Sequence, residues 1–523
     1  MKILFKPFLP IVGLLLASLF VRAGEVVVTR FGAVGDGVTL NTGAIQQAID
    51  ACYKSGGGTV RIPEGKFLSG TIELKDRVTL HLDRGAVLLG TTDLKEYRNL
   101  DPFTEGLGTD VGWAFLVAVG AKDVGIEGEG SIDGQGAALK AKHILTDNRP
   151  EGKRWGQRPF LVRIVRCDRV TVKDVTLKYA AAWTSNYAQS TNILIERVKI
   201  VSVGVAHNDG IGIDGCQNVR IRDCDVESGD DALVFKTTSS KMACRNIVVS
   251  GLRLKSNQAG IKMGTESMAP FENIKISHCH IYDTRNGGIK LLTVDGARLR
   301  DVEISDITME NVRTPMLFRL GSRLSVFRKD QDSQQPTGVL EHVVVRNVIA
   351  NAAEEAQLKP PSGILITGVP GHAIQDLTLE NIRIHLVGGG KAQEARHEVP
   401  EAIDKYPEVS TFGPLIPAYG LWARHIDGLK LKNITFELDQ PDWRPAVIVD
   451  DGKAIEMTGG KLVSADGAES VIRLENVNGA KISGVTVTGK ANALVRVEGA
   501  ASAGINVLKN HLSGIKNQIE QIK

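Results

Sequence analysis

The chain has 523 residues, 63 of them Lys or Arg and 60 Asp or Glu. The resulting net charge of +3 gives no electrostatic case for nucleic acid or a membrane surface as partner. Glycine is abundant at 56 residues and aromatics are sparse at 5%, which suits tight turns and aliphatic strands better than a helical bundle.

In chain order, Lys2 and Lys6 precede an apolar stretch from Phe8 to Val21, and Val21-Arg22-Ala23 reads as a cleavage site. The stretch is short against the about 20 apolar residues of a spanning helix. Residues 1–23 are therefore expected to be a signal peptide, with the mature chain beginning near Gly24 and exported to the periplasm or beyond the cell. A strand at Val26–Thr29 leads into the Gly-rich turn Phe31–Gly37. Asn41 or Thr42 then caps a helix whose Ala44, Ile45, Ala48, Ile49 and Cys52 share one face, and which Gly56-Gly-Gly58 stops. Short strands follow at 59–62, 71–74, 78–82 and 86–89. The glycine runs here are turn glycines, since no Gly-Lys-Ser/Thr follows to make a phosphate loop.

From residue 168 a repeat takes over. Asn192-Ile-Leu-Ile-Glu-Arg-Val-Lys-Ile200 is echoed at Asn218–Val226, Asn246–Leu254 and Asn273–Ile281, the leading Asn recurring after 26, 28 and 27 residues. Asp301–Met309 follows 28 later, with weaker copies at 168–177, 342–349, 376–384 and 427–436. Each copy alternates apolar residues, breaks for two polar ones and alternates again: two strands and a bend. This predicts an all-β chain, a single-stranded right-handed parallel β-helix (solenoid) with a short N-terminal capping helix, spanning 24–508. Leucine-rich repeats have a similar length but their consensus is absent, and a propeller blade would need longer repeats. The segment 386–420, rich in charge, glycine and proline, is expected to be a surface excursion closing over a cleft. Insertions at 98–112, 140–158 and 322–337 are expected to wall it, and 509–523 to be a polar cap or frayed helix. Cys167, Cys216 and Cys244 occupy one ladder position, and Cys224 and Cys279 another. Buried free thiols are expected, with a Cys216–Cys244 bridge as the alternative.

Equivalent residues of successive coils stack about 4.8 Å apart. Asp209 lies 17 residues after Asn192, and Asp230 and Asp231 lie 12 and 13 after Asn218; Lys262 and Lys290 fall 16 and 17 after their own leading Asn. The coils, about 160–320, thus build a patch of three Asp flanked by two Lys, with Glu266 and Asp295 at its edge. Crowded carboxylates repel, so at least one should hold its proton near neutral pH while a neighbour stays ionised, the pairing that glycoside hydrolysis uses. Turn-forming aspartates and a calcium site are the competing readings.

Together with FGAVGDGVTLNTGAIQQAID, GGGTVRIPEGKFLSGTIELK and AAWTSNYAQSTNI, these residues resemble glycoside hydrolase family 28, the polygalacturonase family, over most of 26–440. The resemblance implies inverting hydrolysis with Asp230 as general acid and Asp209 and Asp231 activating water. Lys290, Lys262, His207 and Glu266 are expected to contact substrate, and neither cofactor nor metal is expected. His207-Asn208 stands where the family has Asn-Thr. The family's Gly-His-Gly falls on Gln258-Ala259-Gly260 and its Arg-Ile-Lys on Gly288-Ile289-Lys290, so a His and an Arg are lost. That loss resembles the rhamnogalacturonan-cleaving branch, where a neutral sugar lies on one side of the bond. The expected partner is a pectic, uronic-acid-containing poly- or oligosaccharide, with no nucleic acid, no membrane and a monomeric chain. A polysaccharide lyase on the same β-helix and a non-catalytic glycan-binding β-helix are the alternatives.

Overall fold

The computed structural model describes residues 24–144, 150–354 and 357–522; the expected signal peptide, 1–23, lies outside the described residues. Among these, no helix is long and apolar enough to cross a membrane.

The coils form a right-handed parallel β-helix with three faces. One parallel ladder runs through Val78–Leu82, Lys122–Glu127, Asp168–Lys173, Thr191–Glu196, Gln217–Arg222 and Cys244–Ser250. A second runs through Ala86–Gly90, Ser131–Asp133, Thr176–Lys178, Lys199–Ser202, Asp225–Ser228 and Arg253–Ser256. A third takes Asp110–Val119, Phe160–Val165, Ser185–Ala188, Ile211–Asp214, Leu233–Thr237, Ala259–Ser267 and Gly287–Thr293. Inward side chains of the three faces form one continuous aliphatic core, which is why alternation survives in the sequence. The helix Thr42–Lys54 caps the N-terminal end with Ile45, Ala48, Ile49 and Cys52 inward. Asn41 makes no side-chain cap; its amide instead ties the Gly-rich turn, accepting from Val34 N–H at 2.7 Å and donating to Thr39 O at 2.7 Å.

The leading Asn of the repeat has a physical reason. Asn192, Asn218, Asn246 and Asn273 all sit at a corner in the left-handed region, φ 57°, 57°, 57° and 53°, which Asn tolerates better than other side chains. Nδ2 of Asn218, Asn246 and Asn273 donates to the Oδ1 of the Asn one coil earlier, at 3.1, 3.1 and 2.7 Å, and that of Asn192 to Asp168 Oδ1 at 2.7 Å. The corner thus satisfies itself by stacking.

All six cysteines are buried and free; Cys216 and Cys244 stack in adjacent coils without a bridge. The C-terminal segment differs from expectation: His511–Leu512 and Ile515–Gln521 are strands paired in parallel to Thr486–Glu498, so the coil pattern runs on to residue 521. The sequence there alternates weakly, and backbone pairing to the coil beneath prevails over its polar composition.

The excursion has a defined seat. On the third face, Lys262 pairs with Lys290, Lys290 with Leu317, Leu317 with Leu365, Leu365 with Trp422 and Trp422 with Ile448. This outward ladder is charged over two rungs and apolar over the next four. Val399, Val409, Phe412, Ile416 and Ala418 of the excursion bury those apolar rungs, which would otherwise face water.

Candidate active site

Asp209 and Asp231 each lie two residues before partners in the third face, Ile211 and Leu233, and so occupy neighbouring rungs. Asp230 is one residue further back. Its Oδ1 accepts from Asp231 N–H at 2.9 Å. Oxygens of all three lie within 4.8 Å of one another. They floor a cleft of about 300 Å³ into which His207, Lys236, Lys262, Glu266, Tyr406 and Glu408 also project.

The three carboxylates differ in their counter-charges. Asp231 is met by Lys262 Nζ at 2.9 Å and by Ala259 N–H at 3.1 Å. Asp209 has Lys236 Nζ at 3.3 Å, and the same ammonium reaches Glu266 at 3.5 Å and sits 3.9 Å from the Trp183 ring centre. Asp230 has no lysine; its ionisable neighbour on the open side is His207, Nδ1 3.8 Å from Oδ2. Burial, aided by Arg158 and Lys236, pushes His207 down to about 4, so this ring, stacked on Trp155 at 4.3 Å, is neutral above that pH. Burial and the charges of Asp209 and Asp231 push Asp230 well above the usual carboxylate range. Burial also lifts Asp209, to about 6, although Lys236 opposes it. Glu266 goes the other way: burial would raise it, but Lys236 and the N–H of Gly106, at 3.0 Å, hold it down. The site therefore sets one acid raised well above the usual range beside two carboxylates that each carry a lysine.

Of the residues expected from sequence, Asp209, Asp230, Asp231, His207, Lys262 and Glu266 line the cleft together. Lys290 does not: it is 1% exposed, and Glu408 Oε2 covers its Nζ at 2.6 Å. Asp295 is buried against Arg323 at 2.6 Å and braces the 322–337 loop. Lys236 was legible by register, being the rung partner of Asp214, but no motif marked it. Glu105 and Leu107, at the tip of the antiparallel hairpin Arg98–Thr104/Asp110–Val119, and Trp155, Tyr406 and Glu408 come from insertions that no periodicity predicts. The 322–337 loop braces the wall instead of lining it: Arg323 Nη1 donates to Gly106 O at 3.3 Å, with its guanidinium 5.5 Å from the Tyr406 ring centre.

A parallel β-helix with this carboxylate cluster on one face is that of a glycoside hydrolase. Residues 52–403 match the sequence model of the glycosyl hydrolases family 28, and the chain belongs to that family. A probable polygalacturonase of Vitis vinifera is 27% identical over 389 residues, covering 71% of this chain and 76% of the relative. Among solved structures, a hyperthermoactive exopolygalacturonase from Thermotoga maritima superposes with TM-score 0.57 at 23% identity, over 69% of this chain and 87% of its own. A family 28 exopolygalacturonase of Yersinia enterocolitica does so with TM-score 0.60 at 17% identity, over 95% and 78%. These two share the fold.

Proposed function

We propose that the protein hydrolyses O-glycosidic bonds of a pectic polysaccharide or oligosaccharide, of galacturonan or rhamnogalacturonan type, from a chain end. The observation that carries this reading is the unequal pairing of the three aspartates: Asp209 and Asp231 each touch a lysine, whereas Asp230 touches none and faces a neutral His207. Asp230 gives its proton to the leaving oxygen as the bond from the anomeric carbon breaks. Asp209 and Asp231 hold a water, take its proton, and its oxygen bonds to that carbon. The polygalacturonase relatives support a pectic substrate. The hairpin tip, Trp155 and the 386–420 excursion wall the cleft, supporting action at a chain end. The basic and apolar N-terminal pattern supports export, and the self-satisfied coils support a monomer.

Inversion is proposed from the family, with two carboxylates beside the acid to hold the water. Incubation with polygalacturonan and rhamnogalacturonan tests the function. New reducing ends, released as short products with little early loss of viscosity and without the absorbance of an unsaturated sugar, are expected, the first anomer by NMR being inverted. Unsaturated products would mean a lyase, and a retained anomer would turn Asp209 or Asp231 into a nucleophile.

A further inference from the structure

Beside the three aspartates, the wall formed by Lys262, Lys290 and Asn286 has the makings of an anion slot, and the chain fills it with its own carboxylate. Glu408 Oε2 accepts from Lys290 Nζ at 2.6 Å and from Asn286 Nδ2 at 2.5 Å, and Oε1 lies 3.9 Å from Lys262 Nζ. Asn286 Nδ2 is shared with Gln258 Oε1 at 2.6 Å. Burial alone would raise the Glu408 carboxyl, but the Lys290 and Lys262 ammoniums hold it below its ordinary value. The side chain is not a passing visitor. It directly precedes the short helical turn Val409–Phe412, whose Val409 and Phe412 are fully buried on the Leu317, Leu365, Trp422 and Ile448 ladder.

The charges on this flank are already matched. Lys262 serves Asp231 at 2.9 Å and Glu408 at 3.9 Å, and Lys290 serves Glu408. A uronate carboxylate arriving here would find no free ammonium and would face Glu408 across a few ångströms, a like-charge contact that costs binding where water is excluded. A second long cation does not fit two residues before Lys290 in the same strand either: a Cβ at Gly288 would lie 2.6 Å from Met309 Sδ and 2.7 Å from Pro315 O.

We propose that Glu408 is the specificity-determining residue of this flank, standing where a substrate carboxylate would otherwise sit, so that the ring seated against Lys262, Asn286 and Glu408 is a neutral sugar and not a uronate. The inference rests on the reading of the cleft as a glycosidase site. Neutral rings keep hydroxyls for Glu408, Asn286 and Gln258 and bring no charge to repel.

The test compares the wild type with Glu408→Gln, which keeps the shape and hydrogen bonds but drops the charge, and with Glu408→Gln/Lys290→Met, which drops both charges. Each is given a galacturonate oligomer and a rhamnogalacturonan backbone oligomer of equal length. Expected is a wild-type preference for the oligomer with a neutral sugar, a shift of that preference toward galacturonate by at least tenfold in Glu408→Gln, carried by KM, and its return in the double variant. A wild type that prefers galacturonate, or a preference unmoved by Glu408→Gln, overturns the proposal. Calorimetric titration of the same proteins with free galacturonate and free galactose reads the subsite without catalysis. Galacturonate gaining at least tenfold in Glu408→Gln with galactose unchanged supports the role of Glu408, and equal affinities overturn it. Absence of products from every protein and substrate would instead refute the hydrolase reading, with the titration still deciding on Glu408.

Discussion

Lys290 and Leu317 are register partners in adjacent coils, and between them the outward surface of the third face changes from charged to apolar. On the Lys290 side lies the cleft with its aspartates. On the Leu317 side lies the seat of the excursion. One ladder position thus both lines the site and anchors the segment that closes it.

Asp230→Asn removes the proton donor while keeping volume and the hydrogen bond to the Asp231 amide. The expected result is a kcat lower by about 10²–10⁴-fold, the usual worth of a positioned acid, with KM little changed. Steady-state assay of reducing ends checks this, and wild-type turnover would remove the assignment.

The acid limb of the pH profile should follow Asp209, pushed up to about 6 by burial. As base it must be ionised, so kcat falls as pH drops below about 6. Lys236 favours the ionised form, and Lys236→Met therefore moves this limb to higher pH. A limb that stays put in the variant would separate Lys236 from Asp209.

Stability should respond to Asp230 in the opposite sense from activity. Its folded-state value lies above the unfolded value of about 3.9. Its contribution is therefore fully present below that pH and is lost as pH rises through the raised folded value. Asp230→Asn does not titrate, so its melting temperature should gain on the wild type between pH 4 and pH 8. Parallel melting curves across that range would show that Asp230 is not raised.

Chelation should leave activity unchanged. Three aspartate oxygens within 4.8 Å could in principle hold a cation, but Lys236 and Lys262 already stand at 3.3 and 2.9 Å from Asp209 and Asp231, and a divalent ion would have to displace them. Loss of activity with EDTA that calcium restores would contradict this.

Asn246→Ala, in the middle of the corner stack, loses two amide hydrogen bonds and places a Cβ residue at φ 57° without compensation. A loss of about 1–2 kcal/mol in denaturant titration is expected, with Asn246→Gly losing less.

The repeat made the fold readable because a solenoid imposes the same environment on every coil, so that Asn192, Asn218, Asn246 and Asn273 recur for one reason. The same spacing aligned Asp209, Asp231, Lys262 and Lys290. It carried no information about Glu408, which reaches Lys290 from 118 residues away, so an exposed substrate-binding lysine was expected where a covered one is found. Trp155, Glu105 and Tyr406 were hidden likewise, their positions being set by packing of non-repeating loops. Lys236 lay within the period, but a cation at a strand end also suits solvent, and only its contacts with Asp209 and Glu266 distinguish it.

The walls around the cleft bear on what happens between one cut and the next. With the excursion anchored on Leu317, Leu365, Trp422 and Ile448, cleavage at a chain end, as proposed, would have a consequence for turnover. The product would leave by the mouth through which substrate entered, and the remaining polymer would let go to make room for it. Such an enzyme would work distributively, shortening a whole population of chains evenly instead of consuming one chain before starting the next.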